Sequence, residues 1–210
     1  MVLPILPLVS DMLRPHYGYV FDQSWIDPYE SVLGILWKYA KMNSIAAPQL
    51  IQQICFDDNP IDPYSSNGLG DDEFDSIGFA QAIGLPKKTV QAGIAKSKFG
   101  RTKSLMLRWC SKCMGRGYHS VLHQYEEVQW CPIHGVQMLS NCSVCGQASA
   151  YRLSAMVLNA AFKCSSCGRP FAKGSTNFLK RPSLDQAART ALTRCAIGLP
   201  WYPRKFKPAR

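Results

Sequence analysis

The sequence CSKC at residues 110–113 is followed by CPIH at 131–134, CSVC at 142–145 and CSSC at 164–167. Two residues between potential ligands let a tight turn aim both side chains at one tetrahedral metal, as in structural zinc sites. Seventeen residues separate the first two pairs, and 18 separate the last two. This nearly repeated spacing predicts two zinc ions in tandem modules, with the ligands Cys110, Cys113, Cys131, His134, Cys142, Cys145, Cys164 and Cys167. The spacing favours pairing in chain order, while an interleaved arrangement, in which pairs 110–113 and 142–145 share one ion, stays open.

Disulfide bonds are the alternative use for so many clustered cysteines. Cys-x-x-Cys pairs are poorly spaced for ordinary structural disulfides. The first 12 residues are apolar but carry Pro4 and Pro7 and no early positive charge, which is not typical of a secretion signal. No apolar run approaches the roughly 18 residues of a membrane span. We therefore expect metal-bound thiols and a location in a reducing cytoplasm.

The charge of the chain is unevenly distributed. Residues 1–75 carry 11 acidic and 3 basic side chains, and the rest of the chain carries 3 acidic and 21 basic ones. Zinc–thiolate clusters are anionic and attract basic residues for charge balance, but seven thiolates with two zinc ions total only about −3. The excess of positive charge predicts a polyanionic partner, namely the backbone of DNA or RNA.

The remaining sequence predicts helices. Apolar residues recur at helical spacing from Val32, and that helix should end near Asn43, with a second helix starting near Pro48. We expect a small α+β protein: an extended arm over residues 1–28, a helix-turn-helix-like domain over 29–100, two zinc-ribbon or zinc-finger modules over 101–175, and a basic helix and tail over 176–210. The basic residues 96–108 are interpreted as the hinge between the two domains.

Residues 76–94 have the spacing of a helix-turn-helix. Ala80 allows close helix crossing, Gly84 makes the turn, Pro86 starts the second helix, and Val90 packs back. The second helix either reads DNA or only helps to form a small core. If it contacts nucleic acid, the candidate residues on and after it are Lys87, Lys88, Thr89, Gln91, Lys96, Lys98, Arg101, Lys103 and Arg108.

Enzymatic chemistry is not expected. Catalytic zinc keeps an open coordination position, whereas each predicted site counts four protein ligands. His119 and His123 have the spacing of a metalloprotease helix, but Ser120 replaces the glutamate that would act as base. We predict no catalytic residues, and we expect both histidines to pack or to form hydrogen bonds beside the first site. His119 as a substitute ligand is a minor alternative.

Short motifs accompany the predicted ligands along most of the chain. The more specific ones are Arg108-Trp109-Cys110, Gly117-Tyr118-His119, Cys131-Pro132 with His134-Gly135, and Cys145-Gly146. An earlier motif is Pro28-Tyr29-Glu30-Ser31-Val32-Leu33, followed by Leu36-Trp37-Lys38-Tyr39-Ala40 and Asn43. Together these motifs resemble the TniQ family of bacterial transposition proteins. The departures are Lys38 in place of the family's arginine, Ser111 and Ser143 in place of prolines, and His123 in place of a tryptophan.

The resemblance implies a non-enzymatic adaptor in DNA transposition, similar to the compact members found in CRISPR-associated transposons. Such proteins link a target-recognition complex, in several systems an RNA-guided Cas effector, to an AAA+ ATPase that recruits the transposase. The resemblance also places the family's paired zinc fingers on the ligands already predicted from spacing. The alternative from the residues is a zinc-containing, sequence-specific transcriptional regulator that uses the helix-turn-helix.

Overall fold

The computed structural model describes residues 19–55, 62, 68–71, 73–96, 101–173, 179 and 182–198. The helices are α1 (Val32–Asn43), α2 (Ala47–Ile54), α3 (Ser76–Ala82), α4 (Lys87–Ala92), α5 (Ser111–Gly115), α6 (Ala155–Asn159) and α7 (Gln186–Ala196), with short 3₁₀ helices at Gln23–Trp25 and Val121–Gln124. Most of the predicted arm, the tail from residue 199 and Lys98 lie outside the described residues. Within the described part of the chain, no helix has the length and apolar character needed to cross a membrane.

Helix α1 lies at the centre of the core. Ser31 caps its first turn, since the Ser31 hydroxyl oxygen accepts the Gly34 N–H at 3.0 Å. The helix ends at Ser44, whose backbone adopts the left-handed conformation (φ 53°). Every residue from 32 to 40 is buried. The predicted end of α1 near Asn43 and the start of α2 around Pro48 are confirmed.

The helical segment and the zinc region share one hydrophobic core. Helix α6, which lies between the two halves of the second cysteine cluster, packs against both α1 and α2. The Trp37 indole N–H donates to the Val157 carbonyl at 2.8 Å, and the Trp37 ring lies 5.0 Å from that of Phe162. At the start of α2, the Ala47 N–H donates to the Asn159 side chain at 3.0 Å. These contacts cross the boundary that we predicted at residue 100.

An ion pair is buried inside this core. Lys38 on α1 pairs with Glu30, and both side chains are 0 % exposed. The Lys38 ammonium also donates to the Trp25 carbonyl, while the second carboxylate oxygen of Glu30 accepts the Asp27 N–H at 3.1 Å. The charges of Lys38 and Glu30 therefore compensate each other, and the segment that precedes α1 adds a hydrogen bond to each side chain.

Helices α3 and α4 form a short helical hairpin. Gly84 supplies the turn with a left-handed backbone (φ +68°), and Val90 is fully buried beneath the pair. The end of the hairpin is anchored to α1, because the Val32 N–H donates to the Gly93 carbonyl at 2.9 Å. The two predicted helices and their turn are thus present. The geometry is that of a packed hairpin, and DNA reading by its six-residue α4 is not shown.

The zinc region is built from turns rather than long strands. Its antiparallel pairs within the described residues are isolated bridges, among them Trp130 with Gln137, Asn141 with Ala148 and Lys163 with Pro170. Each of these three bridges joins the residue just before a first ligand to the residue six positions after that ligand. The β part of the predicted α+β fold is therefore limited to small hairpins around the metal ligands.

Candidate metal centres

The eight predicted ligands form two separate clusters. Site 1 comprises Cys110, Cys113, Cys131 and His134, and site 2 comprises Cys142, Cys145, Cys164 and Cys167. Within each site the ligand atoms all lie within 4.8 Å of one another. The pairing therefore follows chain order, and the interleaved arrangement that the spacing left open is not the one adopted.

The spacing of the sulfurs suits tetrahedral zinc. The Sγ–Sγ distance is 3.6 Å between Cys113 and Cys131, and 3.7 Å in both Cys142–Cys167 and Cys145–Cys164. A tetrahedron with Zn–S bonds of about 2.3 Å has edges of roughly 3.8 Å. A disulfide would bring two sulfurs to about 2.05 Å. The sulfurs are thus placed for a shared cation and not for direct bonds.

His134 completes site 1 through its Nδ1 atom. This nitrogen lies 3.4 Å from the sulfur of Cys110, 3.3 Å from that of Cys113 and 3.6 Å from that of Cys131. A zinc ion with ordinary Zn–S and Zn–N bond lengths would set these distances at about 3.6 Å. The S₃N and S₄ donor sets suit two zinc ions, and four protein ligands would close each site to water.

Three of the four ligand pairs use the same turn. The Cys131 N–H donates to the Val136 carbonyl at 2.8 Å, and the Gly135 N–H donates back to the Cys131 carbonyl at 2.9 Å. The same two hydrogen bonds recur in the turns that end at Gly146 and Gly168, and all three glycines have left-handed backbones (φ 60°, 73° and 69°). Sequence reasoning did not use this signal, a glycine directly after the second ligand of each turn.

The electrostatics of the thiols favour a bound cation. Burial raises the pKa of Cys113 well above its ordinary value, so its thiolate needs a positive partner. In site 2 the backbone N–H groups of Cys145 and Val144 lower the pKa of Cys142 to about 6. A zinc ion would supply the missing positive charge at both sites.

His123 supports site 1 without joining it. Its Nδ1 accepts the Ser120 N–H at 3.3 Å, which leaves the proton on Nε2, 3.9 Å from the sulfur of Cys131. Burial lowers the pKa of His123 to about 3. The ring is therefore neutral and presents an N–H to a ligand sulfur.

His119 ties the metal region to α1. Its Nε2 lies 2.9 Å from the Arg108 carbonyl, and its Nδ1 lies 2.6 Å from the Ser31 hydroxyl, which is the cap of α1. The Ser31 N–H also donates to the His119 carbonyl at 2.7 Å. Burial lowers the pKa of His119 to about 4. His119 is a hydrogen-bonding residue beside the first site, as expected, and it is not part of either ligand cluster.

The candidate nucleic-acid residues fall into two groups. Lys87, Lys88 and Lys96 are exposed, and Thr89 and Gln91 are half-buried on α4. The other described candidates hold the segment 101–108 in place.

Arg108 belongs to the second group and is only 8 % exposed. Its guanidinium donates to the Tyr125 carbonyl and to the Val128 carbonyl, the latter at 2.9 Å. Arg101 donates to the Cys195 carbonyl and lies 5.3 Å over the Tyr125 ring, and Lys103 pairs with Asp71. The segment interpreted as a hinge is therefore fastened by its own basic residues from Arg101 onwards.

A groove of about 590 Å³ lies between α4, α7 and residues 23–30. Its lining includes Lys88 and Thr89 from α4, and Arg189 and Thr193 from α7. The sequence did not single out Arg189, because only the fold brings α7 opposite α4. The groove thus combines two positively charged side chains and two hydroxyls from these helices with the buried acidic residues Asp27 and Glu30.

Comparison with known proteins adds no identification. No known family matches the chain, and no curated protein matches it. The resemblance to the TniQ family therefore stays an expectation from the motifs.

Proposed function

We propose that this protein is a non-enzymatic adaptor in DNA transposition. In this role it links a target-recognition complex, such as an RNA-guided Cas effector, to the AAA+ ATPase that recruits the transposase. The proposal rests on the motif resemblance and, in the structure, on one observation. Each metal cluster has four protein ligands at tetrahedral spacing, so a bound zinc ion has no open position for substrate.

The shared core supports a scaffold role. Helix α1 is joined to the zinc region through His119 and Val157, and the α3–α4 hairpin is joined to α1 through Gly93. Surfaces on these parts are therefore held in a constant relation to one another. Fixed surfaces suit a protein that must bind two partners at once, because less conformational entropy is lost on binding.

The charges support nucleic acid as one partner. Lys87 and Lys88 are exposed on α4, and both Lys88 and Arg189 line the groove. Lysine and arginine side chains on adjoining helices can neutralise phosphates of DNA or RNA without reading the bases. We assign this face to the nucleic-acid backbone and the acidic N-terminal part of the chain to a basic protein surface.

A sequence-specific regulator is the second candidate, because α3 and α4 form a short helical hairpin with a glycine turn and α4 exposes two lysines. The two functions differ in what the isolated protein does. The adaptor alone should bind DNA or RNA weakly and with little sequence preference, and its affinity should rise when the ATPase or the targeting complex is added. The regulator should saturate one DNA sequence as a dimer at physiological salt.

Fluorescence anisotropy with the zinc-loaded full chain measures the sequence preference that separates the two functions, and it also tests the contribution of α4 to binding. Reversal of the α4 charges in Lys87→Glu/Lys88→Glu should lower the slope of log affinity against log salt by about 2, since each lost phosphate contact removes about 1. The matched control is Lys163→Glu/Arg169→Glu, which makes the same charge change on exposed residues of another turn. If both variants lower the salt slope equally, binding depends on net charge alone. If the α4 variant leaves the salt slope unchanged, α4 does not contact the nucleic acid.

A further inference from the structure

The two metal sites differ in how well the protein covers them. All three cysteines of site 1 are 0 % exposed, and only His134 is half-buried. In site 2, Cys142 and Cys164 are buried, Cys145 is half-buried and Cys167 is exposed. A dissolved reagent can therefore reach Cys167 at site 2, whereas all three cysteines of site 1 are fully buried.

The surroundings of Cys167 add to this difference. A Cys₄ zinc site carries a charge of about −2, and its sulfurs keep thiolate character while bound to the metal. Lys163 and Arg169 are exposed on the same turn as Cys167. The thiolate is the form of a cysteine sulfur that reacts with oxidants.

Cys167 also has a nearby partner. Its sulfur lies 3.7 Å from the sulfur of Cys142, which comes from the other ligand pair of site 2. A closing movement of roughly 1.7 Å would bring the two sulfurs to disulfide distance. Thus an oxidised Cys167 has a second thiolate within reach.

We propose that site 2 is an oxidant-reactive thiolate centre at which a two-electron oxidant of the peroxide class attacks Cys167 and releases zinc. The Cys167 thiolate attacks one peroxide oxygen, the O–O bond breaks, and hydroxide leaves a sulfenic acid on the sulfur. The Cys142 thiolate then attacks that sulfur, the S–S bond forms, and the S–O bond breaks with loss of a second hydroxide. Two thiolates lose two electrons, the peroxide gains them, and the hydroxides take protons from solvent to give water.

The product is a protein with one zinc ion and one disulfide. Site 2 has lost two of its four ligands and releases its ion, while the buried sulfurs of site 1 keep theirs. The segment between Cys145 and Cys164 carries α6, which packs against α1 and α2. Oxidation of site 2 therefore changes the ends of a segment whose helix belongs to the core.

The test treats the zinc-loaded full chain with hydrogen peroxide and follows the zinc count by native mass spectrometry. We expect the count to fall from two to one, and peptide mapping to find the Cys142–Cys167 disulfide. Reduction followed by added zinc should restore the second ion. Loss of both ions together, first loss from site 1, or a disulfide within site 1 would overturn the proposal.

Two variants sharpen the test. Cys167→His keeps four ligands but removes the exposed sulfur, so it should hold two zinc ions under the same treatment. Cys55→Ser is the matched control, because it removes a half-buried thiol that belongs to neither site. It should behave like the unaltered protein. If the unaltered protein keeps both ions while Cys55 is fully oxidised, site 2 is not the reactive centre, whether or not the Cys167→His variant folds.

Discussion

Replacement of Lys38 by methionine tests the buried ion pair. In Lys38→Met, the Glu30 carboxylate stays buried with the Asp27 N–H as its remaining partner in the ion-pair network described above. Removal of one partner of a buried pair typically costs about 3–5 kcal/mol, because a charge is left uncompensated in the core. For a chain of this size each 1 kcal/mol lowers the melting temperature by about 2–4 °C, so we expect a decrease on the order of 10 °C.

Urea unfolding with excess zinc, followed by tryptophan fluorescence, measures this loss. Native mass spectrometry on the same samples should find two zinc ions in the variant, because Lys38 touches neither site. The double variant Glu30→Gln/Lys38→Met removes both charges of this pair and should recover most of the stability, to within about 1–2 kcal/mol of the unaltered protein. Lys41→Met, an exposed lysine on the same helix, is the control and should cost less than about 1 kcal/mol.

Two results would refute the reasoning. If Lys38→Met loses less than about 1 kcal/mol while it keeps both zinc ions, the Glu30 carboxylate does not depend on Lys38. If the double variant loses as much as the sum of the two single variants, the side chains act independently and do not form a pair.

Three further predictions concern packing, metal and pH. Gly93→Ala should destabilise the protein by about 1–3 kcal/mol or more, because the added Cβ would lie 2.5 Å from the Glu30 carbonyl oxygen. Gly84→Ala is the comparison, since its Cβ would meet no atom within 4 Å although the residue has a positive φ. It should cost only about 1–2 kcal/mol in the same urea assay. Cys110→Ala should reduce the zinc count to one and unfold the surroundings of site 1, since structural zinc contributes about 10–16 kcal/mol of apparent binding energy; an unchanged melting temperature would contradict this. Burial lowers the folded-state pKa of His119 from 6.5 to about 4 and that of His123 to about 3. The unfolded chain therefore binds protons first as pH falls, so stability is full above pH 6.5 and declines below it, and His119 accounts for roughly 3 kcal/mol of the decline towards pH 4 at 1.36 kcal/mol per unit. His119→Gln should remove this share of the decline and leave the share of His123, with zinc content checked at each pH.

The metal ligands were predictable because their geometry is local. Two residues between ligands allow one tight turn, and about 18 residues between pairs allow a short hairpin, so spacing alone identifies the groups. The start of α2 at Pro48 and the turn at Gly84 were predictable for the same reason, since each depends on the backbone preference of one residue.

The core contacts were not predictable from spacing. The periodicity of α1 indicates an apolar stripe, yet the helix is buried on all sides from residue 32 to 40, and Lys38 lies inside with Glu30. Likewise, basic residues before the first pair of cysteine ligands are expected in solvent. Arg108 is instead buried, and its guanidinium donates to the backbone carbonyls of Tyr125 and Val128. Each of these positions depends on partners far away in the chain, which no local pattern encodes.

The burial of residues 32–40 of α1 also affects how the chain folds during synthesis. Trp37 and its hydrogen-bond partner Val157 are 120 residues apart. At about 5–20 residues per second, the ribosome exposes this apolar helix for on the order of 10 s before its cover is translated. Newly made chains therefore pass through a stage in which the apolar surface of α1 is exposed and the two metal sites hold no zinc. Scarcity of zinc in the cell should then appear first as aggregation of nascent protein.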